Sequence, residues 1–394
     1  MLFRFGNVKN ILYYFTIFIS MTYKSSNLFA SDTTYFKSTY EEADADFQRI
    51  FAATKNNYSK AEIHNFLYDQ GNIKSYYFKP SENSNTLVIT ISGVHGAEGP
   101  AGSAVQRFWT EKLPKNEKVS FLHIHGFNLW GFKNFRRVNE NNVDLNRNFI
   151  LDRNAFKPDD TGYKKLNDFL NPNTSVGSML LSKLGFYFNA AVNLAQNSIE
   201  TLRVSILKGQ YFNSKGIFYG GINPQEQELL LEQLIDRYLK TYKQVFIIDL
   251  HTGYGERGRL HLLAGPKQDE NSKKLLSFFK EDEVNFADQN KFYGVTGELN
   301  GFFATKIKQK TSAEVTAITF EFGTMNSQKT AGSIESLRRM VNENRAFHYG
   351  GDNDSVDKIK EEFREMFYPS DEDWRAKVLS QSEIRIRQVI NGLN

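Results

Sequence analysis

The 394-residue sequence contains no cysteine. Disulfides, thiolate metal sites and a cysteine nucleophile are therefore excluded, and the absence suits an exported protein with no use for thiols. Histidine is scarce, with seven in the whole chain, so a histidine standing beside an acid is informative. No repeat period and no low-complexity tract is visible. A strong charge of one sign is also missing, since 49 basic residues face 45 acidic ones. With 40% hydrophobic and 24% charged residues, what remains is an ordinary globular chain, with material for one large α/β domain or two smaller ones.

The first thirty residues, "MLFRFGNVKNILYYFTIFISMTYKSSNLFA", place Arg4 and Lys9 ahead of the apolar run Ile11 to Met21, followed by polar residues and the small Ala30. This is the layout of a secretory signal peptide, residues 1–30. The run is shorter than the ~18 residues of a spanning helix, so cleavage is expected in preference to an uncleaved anchor or a buried helix. The mature chain, 31–394, is expected to be exported, periplasmic or secreted, without stable membrane insertion. Loss of Arg4, Lys9 and Lys24 leaves 46 basic residues against 45 acidic ones. A balance so near zero gives no reason to expect a nucleic-acid partner.

Beyond the leader, strand and helix patterns alternate. The stretches 86–94, 119–126, 244–251 and 315–323 are short, mostly apolar runs rich in Val, Ile, Phe and Thr, and read as largely buried strands. Helical patterns lie between them, at Gly102 to Leu113, Pro224 to Tyr242 and Ser333 to Phe347, while 354–394 reads as two charged amphipathic helices. The expected fold is α/β, a mixed but mostly parallel central sheet with helices on both faces. Sites in such sheets collect at the carboxyl ends of strands.

Three of those four strands end in a potential metal ligand or base: His95, His251 and Glu321. Glu98 follows His95 by three residues, within a turn where Gly93, Gly96 and Gly99 let the backbone curl. A hydrolytic zinc site takes nitrogen and oxygen ligands from three side chains and leaves a fourth position for water. His95, Glu98 and His251 would supply that set.

The blocks "SGVHGAEGPAGSA", "RRVNENNVDLNRNF", "IIDLHTGYG" and "ITFEFGT" resemble the ordered motifs of the M14 zinc carboxypeptidases, and most closely those of their DUF2817 branch. They span about residues 86–324 in the family's order. "HGFNLWGF" also resembles the branch's HALNPYGF, with Leu129 in place of proline. The resemblance implies one Zn²⁺ per chain held by His95, Glu98 and His251, with Glu321 as general base and Arg137 facing the oxyanion. It further implies that Asn146 and Arg147 hold a substrate's terminal carboxylate, and that Asp144 receives the other ring proton of His95. The chemistry is coherent without the name: a base must take the water's proton and return it to the leaving amine, and an arginine fork suits a carboxylate as a lysine does not.

Bland readings stand beside these. Arg136 and Arg137 can be read as a solvated basic pair, and the asparagines of 139–148 as turn residues. His123 and His125, taken as alternating between the faces of one strand, would send at most one to the site. His64, in a stretch read as helical, His261 and His348 are expected to be structural. Tyr254 or Tyr293 is a candidate for the family's mobile phenol. About a hundred residues separate Arg147 from His251, more than the resemblance to the family's core calls for, so a helical insertion is expected around 151–223. Its stretch 177–207 reads as a packed helix, with a lid or partner surface as the alternative.

The function expected is that of a zinc metallohydrolase of carboxypeptidase type, cleaving an amide next to a free carboxylate in a peptide or cell-wall peptide. An N-acyl amino acid deacylase of the aspartoacylase and succinylglutamate desuccinylase kind uses similar motifs and remains open. So does a catalytically inactive binding module, whose mark would be loss of a ligand or of the base.

Overall fold

The computed structural model of the protein describes residues 33–196, 199–287 and 296–393, without the side chains of 199–201. The expected leader, 1–30, lies outside the described residues. Eight strands are present among them: β1 (Lys60–Tyr68), β2 (Gly71–Lys79), β3 (Thr86–Ser92), β4 (Val119–His125), β5 (Gln244–Gly253), β6 (Leu260–Pro266), β7 (Val284–Ala287) and β8 (Glu314–Gly323). The helices are α1 (Tyr40–Thr54), α2 (Gly99–Lys112), α3 (Leu129–Asn134), α4 (Thr161–Leu170), α5 (Met179–Gln196), α6 (Ile199–Lys208), α7 (Glu226–Tyr238), α8 (Glu270–Leu275), α9 (Leu299–Lys310), α10 (Thr330–Tyr349), α11 (Asn353–Phe367) and α12 (Glu372–Gly392).

All eight strands form one mixed sheet, in the order β1-β2-β4-β3-β5-β8-β6-β7. Its centre is the parallel run β4-β3-β5-β8, made of the four strands legible as apolar runs. Strand β3 is buried at every position, as expected of a strand covered on both faces. Its residues alternate between two cores. Leu87, Ile89 and Ile91 join the layer that includes Leu230, Leu234 and Phe303 of α7 and α9, and Val88 joins Ala101, Val105, Trp374 and Val389 of α2 and α12 on the other side.

Antiparallel pairing extends the sheet at both sides, through the β1–β2 hairpin and β6. Strand β1 has a single buried residue, so its sequence carries polar residues where a central strand would be apolar. That is why His64, expected in a helix, lies instead on a strand at the edge of the sheet. Stretch 177–207 is helical over its described residues, in α5 and α6. The packed reading holds for one face of α5 only, where Phe186 and Ala190 are buried. Among the described residues no helix is long and apolar enough to cross a membrane.

Candidate active site

The site is assembled at the carboxyl ends of the parallel strands. After β3 the chain turns at Gly93, with φ +74°, and enters a short 3-10 turn over Gly96–Glu98 that leads into α2. A side chain at Gly96 would bring its Cβ within 2.1 Å of the Gly131 carbonyl carbon, so only glycine fits. Gly96 and Ala97 donate backbone hydrogen bonds to the carbonyls of Arg137 and Arg136. The turn carrying His95 and Glu98 is thereby stitched to the loop carrying the arginines. Leu129 is the first residue of α3, behind an Asn128 cap, a position that also accepts proline. The departure at this position is structurally neutral.

His95, Glu98 and His251 form a group that could hold a metal ion, with ligand atoms all within 4.8 Å of one another. Nδ1 of His95 lies 2.8 Å from one Glu98 oxygen and Nδ1 of His251 lies 2.9 Å from the other. The two Nδ1 atoms are 3.2 Å apart. Each imidazole turns its far nitrogen toward a carboxylate: His251 Nε2 is 2.6 Å from Asp249 Oδ2, and His95 Nε2 is 3.3 Å from Asp144 Oδ1. A carboxylate behind a ring holds the proton on the far nitrogen and leaves the lone pair of Nδ1 pointing inward. This donor set fits a divalent cation. Charge fits as well, because Glu98, Asp144, Asp249 and Glu321 are all buried, and among the described residues the guanidinium groups acting on them are those of Arg137 and Arg147.

The electrostatics follow from that crowding. Burial works against the Glu98 charge, yet His95 and His251 hold its carboxyl well below the usual range. Burial would likewise depress the His251 imidazole, but Asp249 and Glu98 outweigh it and raise it well above its ordinary value. Glu321 moves the opposite way from Glu98. Burial, and then the Glu98 charge, push it up to about 8, because it has no partnered cation of its own. It stands opposite His251 in the β5–β8 register and accepts a hydrogen bond from the Tyr254 backbone at 2.8 Å.

The arginine pair divides. Arg136 is 3% exposed, ion-paired to Glu343 and stacked on Phe347, which removes the reading of a solvated pair. Arg137 turns to the centre, donating to Asp144 at 3.0 Å and lying 2.7 Å from His95 Nε2. Arg147 is buried. It donates to the carbonyls of Asn146 and, from α6, Ile206, and its Nε has no partner. Asn146 Oδ1 accepts the Leu299 amide at the start of α9.

The asparagines are more than turn formers. Asn148 donates to the carbonyls of Gly220 and Asn223, and Asn142 to those of Ser214 and Gly216. The Asp144 amide donates to the Tyr219 carbonyl, while Phe218 packs over the Arg137 guanidinium. The segment 206–223 is thus clamped onto the arginine loop.

His125 is buried against Ser103 and Tyr40, and His123 bonds Thr90. Both pack near Phe47. Being two apart on a strand, they share a face, which corrects the expected alternation. Tyr254 is exposed beside His261, and Tyr293 lies outside the described residues. Asp249 went unread in the sequence, although the spacing Asp-x-His on a strand puts both side chains on one face.

Residues 36–381 match the sequence profile of the family described as "Protein of unknown function (DUF2817)". The chain belongs to the DUF2817 family. No curated protein matches it. Among solved structures this DUF2817 chain is similar to the carboxypeptidase A from Helicoverpa armigera, at 12% identity over 92% of this chain and 82% of that one, with a TM-score of 0.47. It is also similar to bovine thrombin-activatable fibrinolysis inhibitor in complex with tick carboxypeptidase inhibitor, at 13% identity over 89% and 99%, TM-score 0.44. A third is the metallo-carboxypeptidase from Pseudomonas aeruginosa in complex with (2-guanidinoethylmercapto)succinic acid, at 13% identity over 84% and 71%, TM-score 0.39. At these values the likenesses carry no argument about activity.

Proposed function

We propose that this protein is a zinc-dependent metallohydrolase of carboxypeptidase type, which cleaves an amide bond next to a free carboxylate in a peptide or cell-wall peptide. The observation that carries the reading is the convergence of His95 Nδ1, Glu98 and His251 Nδ1, each ring backed by its own carboxylate. When bound there, zinc supplies the Lewis acidity that makes water a nucleophile near neutral pH.

The chain's own groups do the rest. Glu321 takes the proton of the attacking water and returns it to the leaving amine. Its raised pKa suits both halves of that task, since a base poised near the working pH gives up its proton as readily as it takes it. With His95 Nδ1 committed to a cation, Nε2 carries the proton and turns to Asp144. Arg137 then has no acceptor on that ring and is free to face the oxygen that becomes negative, an interaction worth ~3 kcal/mol of barrier. Arg147, with its unpartnered Nε, and Asn146 receive the substrate carboxylate.

A second reading, an N-acyl amino acid deacylase, is favoured by how closed the site is: His95, Glu98, Arg147, His251 and Glu321 are all buried, which suits a small substrate. Incubating zinc-loaded protein with a mixed library of peptides and acyl amino acids, followed by mass spectrometry, separates the two by the mass lost. A library left intact sinks both. The domain reading, a leader at 1–30 and a helical insertion at 151–223, belongs to the same proposal, as does export. N-terminal sequencing of protein recovered outside the cytoplasm tests the leader.

A further inference from the structure

Helix α5 leaves a row of large apolar side chains in solvent. Leu181 is 68% exposed, Leu184 59% and Phe188 70%, with Leu180 and Val192 beside them. The other side of the helix is held to the protein, with Phe186 and Ala190 buried. Phe186 packs on Phe169, Lys183 bonds Glu362, and Tyr187 bonds Glu335. An apolar row of this kind on a soluble domain marks an interaction surface.

Gly185 lies within the row. Leu181, Gly185, Phe188 and Val192 follow one another at spacings of four, three and four, one line along a helix, and a Cβ at Gly185 would meet nothing within 4 Å. Glycine weakens a helix interior, and nothing among the described residues requires it there. It opens a gap between Leu181, Leu184 and Phe188, so knob and hole occur on the same face.

We propose that this face of α5 is a homodimer interface, in which Phe188 or Leu184 of one copy seats in the Gly185 gap of a second copy across a two-fold axis. A two-fold interface must be self-complementary, and a face holding both knob and hole is. Charge agrees. Between Asp168 and Glu200 the only charged residue is Lys183, already paired with Glu362, so two copies do not repel. An anionic bilayer, by contrast, would find no free cation on α5, and fluid lipid chains have no use for a fixed gap. The area suffices too: five side chains exposing about 100 Å² each give roughly 1,000 Å² over two copies, the lower bound of a specific interface.

Sedimentation equilibrium of the full chain at micromolar concentrations tests this. The wild type should run as a concentration-dependent dimer. Leu184→Glu with Phe188→Glu should weaken association at least tenfold. Gly185→Leu decides the matter, because it fills the gap while adding apolar surface, and its Cβ meets nothing within 4 Å in its own subunit. Loss of the dimer by a chain whose circular dichroism is unchanged and whose melting transition stays cooperative supports the proposal. A wild type that stays monomeric overturns it, as does a Gly185→Leu variant that associates as well as or better than wild type, or that gains binding to neutral or anionic vesicles, since generic stickiness gives that result.

Discussion

His95, His251 and Glu321 stand on or just beyond strand ends, and Glu98 at the entry to α2. Arg147 and Asn148, in contrast, stand on a loop whose hydrogen-bond partners are carbonyls of residues 206–223. In the first half of the site, backbone geometry fixes the side chains: the sheet register sets His251 beside Glu321, and a glycine with no room for a Cβ sets the turn. In the second half, side chains hold a neighbouring segment in place and are held by it. The first half should fail all at once when a ligand is lost. The second should yield by degrees.

The sharpest break concerns the metal. The purified protein should carry about one zinc per chain, and His95→Ala or His251→Ala should remove it, because two remaining ligands cannot complete a three-residue set. Metal analysis with zinc unchanged in both variants would refute the ligand assignment. Glu321→Gln should separate base from ligand: zinc stays, while turnover falls by about 10²- to 10⁴-fold. Zinc lost together with activity would mean that Glu321 coordinates.

A smaller effect is expected at Arg147. Blocking the substrate's terminus as an amide removes a charged hydrogen bond worth ~1.5 to 3 kcal/mol, so kcat/KM should fall at least tenfold. Arg147→Met should cost a similar amount, and blocking should then cost that variant little, because the partner is already gone. If blocking and mutation multiply as independent effects, Arg147 does not read the terminus, and the enzyme is an endopeptidase or an amidase that recognises some other group.

The same division decides what was legible in the sequence. The ligand half lies in short contiguous blocks, and the central strands are apolar runs, so spacing alone brought His95, Glu98, His251 and Glu321 to one end of the sheet. Asp249 was within reach of the same arithmetic, two residues before His251 on one face, and so was the shared face of His123 and His125. The partners of Arg147 and Asn148 were out of reach. They are main-chain carbonyls about sixty to seventy-five residues away in sequence, and a carbonyl leaves no mark in the choice of amino acid. Edge strands hid for a related reason: β1 is paired on one side only and is buried at a single position, so its composition is closer to that of a surface.

The smallest predicted effect tests the yielding half directly. Asn148 is 1% exposed; it donates to Gly220 and Asn223 and accepts from Arg153. Asn148→Ala leaves the buried Gly220 carbonyl without its side-chain donor, at a cost of about 1 to 3 kcal/mol, so the melting midpoint should drop by a few degrees. Zinc content should not change, because Asn148 makes no contact with His95, Glu98 or His251. If segment 206–223 holds Arg147 in place, loosening it should raise KM several-fold with kcat nearly constant, since ground-state and transition-state binding weaken together. Substrates blocked at the terminus should be spared that rise, because they never used Arg147. Should kcat fall instead while KM holds, or should blocked and free substrates suffer alike, the clamp serves the metal half, and the two halves of the site are one mechanical unit.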